Sequence, residues 1–204
     1  MADKSTLTQY DSHSNDFISR YQTIKPGRLY ELMAVFFKRG GATLDIGCAS
    51  GRDLAYLKGS GYQVEGLDAV ASFVEHCQKY LTDIPVYYDA LPELKTVADG
   101  KYDNVLLSAV LMHVPKEDLF LAVQNILRVT KVGGRILISI RNFRESEVIN
   151  DEGREKDGRL FTHIPADELI HLFEELGAKT MFQEDQDEGR REDVIWHNFI
   201  FEKR

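Results

Sequence analysis

Cysteine, proline and tryptophan are sparse in this chain of 204 residues, at two, five and one. The two cysteines, Cys48 and Cys77, cannot build a disulfide framework, so the fold has to rest on an apolar core, and the thiols point to a reduced, cytoplasmic setting. No apolar run is long enough to cross a bilayer and no charged-then-apolar leader opens the chain, which predicts neither membrane insertion nor export. Positive charge is in deficit, 25 Lys and Arg against 33 Asp and Glu for a net charge of -8, so phosphate backbones are repelled and nucleic acid is not the expected partner. No His and Cys cluster has metal-ligand spacing, and no metal is expected. Neither G-x-G-x-x-G nor a G-K-[ST] loop occurs, which removes the pyrophosphate cradle and the P-loop. What remains is long enough to bury roughly 70% of its unfolded surface without staples, and is read as one domain, 1–204.

The densest signal is the stretch Leu44-Asp45-Ile46-Gly47-Cys48-Ala49-Ser50-Gly51-Arg52-Asp53, where an apolar run breaks on glycine and a helical pattern follows at once. Gly47 and Gly51 stand where a backbone turns sharply and lets a ligand come close. Strand and helix then alternate. Thr43 to Gly47 reads as a strand, Arg52 to Lys58 as a helix closing on Gly59 and Gly61, and Tyr62 to Leu67 as a second strand ending at Asp68. A carboxylate there lies beside the first glycine loop, and its two oxygens can accept both ribose hydroxyls of a nucleoside; capping of the next helix is the competing role.

Phe73, Cys77 and Tyr80 mark that helix, and the short strand Val86-Tyr87-Tyr88 delivers Asp89-Ala90-Leu91-Pro92 to the same sheet edge. A fourth strand, Tyr102 to Ser108, precedes His113, whose neutral imidazole can take a proton or merely pack before the helix opened by Pro115. Leu119, Val123, Ile126 and Leu127 predict a helix ending in a Lys131-Val132-Gly133-Gly134 turn, and Arg135 to Ile140 a buried fifth strand. The segment 141–163 is highly charged and has no predicted element. Its Arg141, Arg154 and Arg159 offer forks suited to a carboxylate, with Phe161 and His163 as pocket walls; a solvated loop is the alternative. Pro165 to Leu176 is the last helix, followed by strands Ala178 to Phe182 and Val194 to Phe201 in a hairpin. Trp196 shares a face with Asn198 and is expected to pack on a helix, not on a ligand. Residues 1–41 read as a helical cap, its last helix carried by Leu29, Leu32, Met33, Phe36 and Phe37.

Asp45, Gly47 and Gly51 resemble the first motif of class I S-adenosylmethionine (SAM)-dependent methyltransferases, an acid followed by G-x-G-x-G, with Ala49 in place of the middle glycine. Tyr102 to Ser108 is similar to that family's fourth motif, and Lys131-Val132-Gly133-Gly134 to its L-K-P-G-G turn with Val132 for proline. The resemblance runs from Leu44 almost to the end. It implies a Rossmann-like α/β fold, a seven-stranded, mostly parallel sheet with a terminal antiparallel hairpin, helices on both faces and the N-terminal helical cap over a core of 42–204. It implies SAM as cofactor, held by Asp45, Gly47, Cys48, Gly51, Arg52, Asp68 and Ser108. Asp89 would meet the adenine amino group, the Ala90 N–H the ring, Ala69 and Leu91 its faces, and Tyr10 and Tyr21 the methionine end.

The implied reaction is in-line transfer of the sulfonium methyl to O, S or N of a small molecule, with His113 as base and 141–163 as a substrate lid. The chain lacks the Asn/Asp-Pro-Pro-Tyr/Phe and Pro-Cys patterns of methyltransferases acting on DNA, protein glutamine or pyrimidine carbon. Two rivals stand beside this reading: a module that binds SAM or its demethylated product without turnover, and a nicotinamide-dependent oxidoreductase. The oligomeric state is not legible.

Overall fold

The computed structural model describes residues 2–141, 150, 153–187 and 194–204. Three helices, α1 (Lys4–Ser12), α2 (Ser14–Thr23) and α3 (Gly27–Phe36), precede the sheet. Strands β1 (Ala42–Ile46), β2 (Gln63–Asp68) and β3 (Val86–Tyr88) follow, separated by α4 (Arg52–Gly59) and α5 (Ala71–Tyr80). Next come β4 (Tyr102–Ser108), two short 3-10 turns, α6 (Leu119–Val129), β5 (Thr130–Arg141), α7 (Ala166–Glu175), β6 (Ala178–Asp187) and β7 (Ile195–Lys203). The seven strands lie in the order β3-β2-β1-β4-β5-β7-β6, with β1 to β5 parallel and β7 antiparallel to both its neighbours. The order reverses at β1 and β4, and in an open parallel sheet the crevice at that point is where ligands gather.

Period-2 alternation divides the core into two layers. Val105, Leu107, Ile136, Ile138, Phe199 and Phe201 face α6 and α7, whereas Leu106, Leu137 and Ile200 face α3, α4 and α5. Helix α3 thus belongs to the core layer through Leu29, Leu32 and Met33, and α1 with α2 covers the strand ends, where Phe17 and Ile18 meet Val70 and Phe73.

Three expectations are corrected. The Lys131–Gly134 turn is a bulge inside β5: Thr130 already pairs with Tyr102 and Arg135 with Asn104, so four residues of β5 oppose Asp103 alone. Gly133 absorbs the excess at φ +72°. Strand β6 extends to Asp187, well past Phe182, because every residue from Gln183 on finds a partner in β7. Residues 153–161 form a tight antiparallel turn where no element was expected, with a bridge between Arg154 and Leu160 and the Glu155 N–H donating to the Arg159 carbonyl at 2.9 Å. The remainder of the expected lid, 142–149 and 151–152, and the 188–193 part of the hairpin connection lie outside the described residues.

Candidate active site

The first half of the site is built from backbone. Gly47 sits at φ +74°, and a Cβ there would come within 2.6 Å of Val110 Cγ2 in the turn after β4, so both the dihedral and the close approach demand glycine. Its N–H and that of Cys48 donate to the Leu67 carbonyl, at 2.8 and 3.1 Å, tying the loop to the end of β2. Ala49, in the left-handed region at φ +44°, donates its N–H to Asp68 Oδ2 at 2.8 Å, and Val70 donates to Oδ1 at 2.9 Å. Asp68 therefore shapes the loop with one lone pair on each oxygen and keeps the others for a ligand. Burial pushes its pKa up to about 6 against the pull of those amides.

Asp89 is 7% exposed and collects four hydrogen bonds, from the N–H groups of Ala90, Lys95 and Thr96 and from the Thr96 hydroxyl. Burial opposes its ionisation, but these donors prevail and hold the carboxyl below its usual range. The Ala90 N–H, expected on an adenine ring, here donates to Asp89 Oδ1 at 2.8 Å.

The second half is assembled across the chain. His113 Nδ1 lies 2.7 Å from the Leu160 carbonyl, which only accepts, so the proton sits on Nδ1 and Nε2 carries the lone pair. Tyr10 Oη lies 3.0 Å from Nε2 and donates to it, while Arg159 donates to Tyr10 Oη at 2.9 Å. Burial, with Arg159 and Arg141 nearby, lowers the His113 pKa to about 4, so the imidazole is neutral at pH 7. Burial also raises the Tyr10 phenol above its usual value.

A cavity of about 880 Å³ joins the two halves, near the upper end for small-molecule sites. Tyr10, Tyr21, Gly47, Cys48, Arg52, Asp68, Ala69, Asp89, Ala90, Leu91, Ser108, His113, Arg141, Arg159 and Phe161 all line it. Asp45, Gly51, Arg154 and His163, also expected there, do not. Asp45 is sealed beneath the loop at 2% exposed, where burial and the neighbouring Asp53 push its carboxyl well above the usual range. Gly51, at φ +72°, is required instead by Leu81 and Cys77 of the helix behind it. Arg154 clamps both oxygens of Asp3 at the cavity edge, at 2.9 and 2.8 Å.

Arg141, Arg159 and Arg52, the expected arginines that do line the cavity, are each paired with a carboxylate. Arg141 meets Glu155 at 2.6 Å, Arg159 meets Glu155 at 2.5 Å and Asp157 at 2.8 Å, and Arg52 meets Asp53 at 2.7 Å. Trp196 corrects a further expectation: half-buried, it lines the cavity with Ser139, Gln186 and Asn198. The signal for these was present as polar residues interrupting apolar strands, Ser139 in Ile136-Leu137-Ile138-Ser139-Ile140 and Asn198 before Phe199-Ile200-Phe201. Among the described residues no three His, Cys, Asp or Glu side chains converge on a metal-binding point, and no helix is long and apolar enough to cross a membrane.

Residues 44–138 match the family described as methyltransferase domain. No curated protein sequence matches the chain. Among solved structures, the Burkholderia thailandensis 1,6-didemethyltoxoflavin-N1-methyltransferase, with bound 1,6-didemethyltoxoflavin and S-adenosylhomocysteine, superposes with a TM-score of 0.77 at 17% identity, covering 98% of this chain and 87% of that one. A Haloferax volcanii protein described as a putative methyltransferase, in complex with the Trm112 methyltransferase activator, gives 0.75 at 17% identity over 96% of each chain. The [4+2]-cyclase SpnF gives 0.71 at 16%, covering 96% and 94%. The glycine loop at the end of β1, the buried carboxylate ending β2 and the terminal antiparallel pair belong to one frame: residues 44–138 match a methyltransferase domain, and the seven-stranded sheet is that of the class I, Rossmann-like S-adenosylmethionine-dependent methyltransferases.

Proposed function

We propose that the enzyme transfers a methyl group to an oxygen, sulfur or nitrogen of a small-molecule acceptor, and that His113 takes the acceptor's proton through Tyr10. The observation that carries the proton path is the chain Arg159 to Tyr10 to His113 to the Leu160 carbonyl. The residues present fit the cofactor: Gly47 lets the β1 loop turn at the cavity, the Asp68 carboxylate faces it beside that loop for ribose hydroxyls, and Ala69 and Leu91 offer apolar surface in the same cavity. Bound SAM supplies an electrophilic methyl on a sulfonium.

The proton path follows from donor and acceptor bookkeeping. Nε2 accepts from Tyr10, so the imidazole cannot take an acceptor's proton directly; the hydroxyl stands between. As the acceptor X–H gives its proton to Tyr10 Oη, the Tyr10 proton passes to Nε2, and the imidazolium keeps Nδ1–H on Leu160. Arg159, donating to Oη, stabilises negative charge that develops there. With a pKa of about 4, His113 is a weak base, and proton transfer has to run in concert with loss of the methyl from sulfur. A thiolate or free amine acceptor would bypass the relay.

Methyl-tritiated SAM, incubated with the protein and with panels of thiols, phenols and amines, tests the proposal. Transfer to a phenol or related hydroxyl, reduced about 10²-fold or more in His113→Ala with SAM affinity intact, is the expected result. Wild-type turnover in that variant would return His113 to a packing role. SAM binding with no transfer to any acceptor would favour the non-catalytic module.

A further inference from the structure

The sheet beyond β4 carries polar groups that the cofactor half does not use. In β5, Ser139 stands opposite Asn198 of β7, and Arg141 opposite Trp196. Directly opposed residues share a face, and Ser139, Asn198 and Trp196 all line the cavity. Ser139 and Asn198 are only 6% and 2% exposed. The Asn198 amide donates to the Glu184 carboxylate at 3.1 Å, and because a carboxylate only accepts, the amide N–H₂ end must face it. That leaves Oδ1 as the acceptor end. Among the described residues, neither Asn198 Oδ1 nor Ser139 Oγ has a hydrogen-bond partner, yet neither atom is sealed from the cavity. Both atoms are accessible from the cavity, so one wall presents a hydroxyl and an amide oxygen side by side for an occupant to bond.

The charge of that occupant follows from the ion pairs around it. Glu155 takes Arg141 at 2.6 Å and Arg159 at 2.5 Å, and Asp157 takes Arg159 at 2.8 Å, so the two cations are met by two carboxylates. Its shape follows from the register: two side chains about 5 Å apart at Cβ can converge on adjacent donor and acceptor atoms of one small group, and the indole beside them offers a flat apolar surface.

We propose that this β5–β7 wall is the acceptor platform and that it takes a neutral, planar cyclic amide. The ring N–H donates to Asn198 Oδ1, the ring carbonyl accepts from Ser139 Oγ–H, and the ring face lies on Trp196. The inference deepens the small-molecule reading above and rests on it.

Trp196 is the only tryptophan of the chain, so its emission reports the platform directly. The experiment titrates 2-quinolinone, a neutral bicyclic lactam, and 2-naphthoate, an anion of similar outline, into the full chain with and without S-adenosylhomocysteine, following Trp196 fluorescence and heat. Quenching by 2-quinolinone with at least about tenfold lower Kd than 2-naphthoate is expected, since a site built to hydrogen-bond discriminates against a ligand lacking the groups. Ser139→Ala, which removes one hydroxyl and leaves the fold intact, should raise that Kd about fivefold, and Asn198→Leu more, while the S-adenosylhomocysteine Kd stays within about twofold. Equal or tighter binding of 2-naphthoate, absence of quenching, or indifference to Ser139→Ala would overturn the platform. Loss of S-adenosylhomocysteine binding in the parent chain would strike the cofactor reading instead, and the two failures are read on separate signals.

Discussion

The two halves of the cavity differ in the reach of the hydrogen bonds that hold them. On the cofactor side, Ala49 bonds Asp68 nineteen residues away and Thr96 bonds Asp89 seven away. On the other side, Tyr10 meets His113 across 103 residues, Arg159 meets Tyr10 across 149, and Arg154 meets Asp3 across 151. The first half is a set of local turns that each strand delivers already formed. The second exists only after the N-terminal helices have docked on the 153–161 turn, where Ser5 donates to the Gly158 carbonyl and the Leu160 N–H to Thr6 Oγ1. In the proposed assignment, then, the cofactor side rests on backbone and the reaction side on distant side chains.

The sharpest way to break that comparison is to cut the long-range half and look for damage in the local one. Tyr10→Phe removes the hydroxyl between Arg159 and His113 and should lower turnover of a hydroxyl acceptor by about 10²-fold or more, with SAM affinity unchanged by calorimetry. An equal loss of SAM affinity would show the halves to be one unit. The reverse experiment is Gly47→Ala, where left-handed backbone and the encounter with Val110 together should destabilise the protein by about 3 kcal/mol in chemical denaturation. A change below about 0.5 kcal/mol would mean that the β1 loop yields freely.

Asp68→Ala should weaken SAM binding by about 1–3 kcal/mol through lost charged hydrogen bonds. The sign of its pH dependence follows from ionisation: the carboxylate accepts and the neutral acid accepts less, so affinity is flat above pH 7 and falls as pH drops through about 6, and Asp68→Asn abolishes the slope. The smallest effect is expected from Asp3→Ala, which opens the Arg154 clamp and the α1 N-cap on Thr6, lowering stability by about 1 kcal/mol without altering SAM affinity. If SAM affinity fell with it, docking of α1 would be part of the cofactor site.

Legibility followed the same division. The loop from Leu44 to Asp53, the carboxylates ending β2 and β3, and the alternation of strand with helix were readable because each depends on neighbours within about one βα unit, where periodicity and turn chemistry operate. Arg154 was misplaced because its partner, Asp3, lies 151 residues away along the chain, and a guanidinium has no local signature for its target. Gly51 was readable as a turn but not as a contact with α5. Trp196 was assigned to a helix contact on frequency, whereas the register of β7 between β5 and β6 turns it to the cavity.

Composition, glycine spacing and the alternation of strand with helix determined by themselves an α/β domain with a nucleoside loop after β1, because these are short-range consequences of backbone sterics and apolar periodicity. Only the tertiary structure decided which polar side chains face the cavity: that Tyr10 holds the His113 lone pair, that Glu155 stands between Arg141 and Arg159, and that Ser139 and Asn198 share a wall. Apart from Glu155 with Arg159, four residues apart, those pairings join atoms from separate elements of the chain, and hydrogen bonding becomes specific only when packing has brought donor and acceptor within about 3 Å.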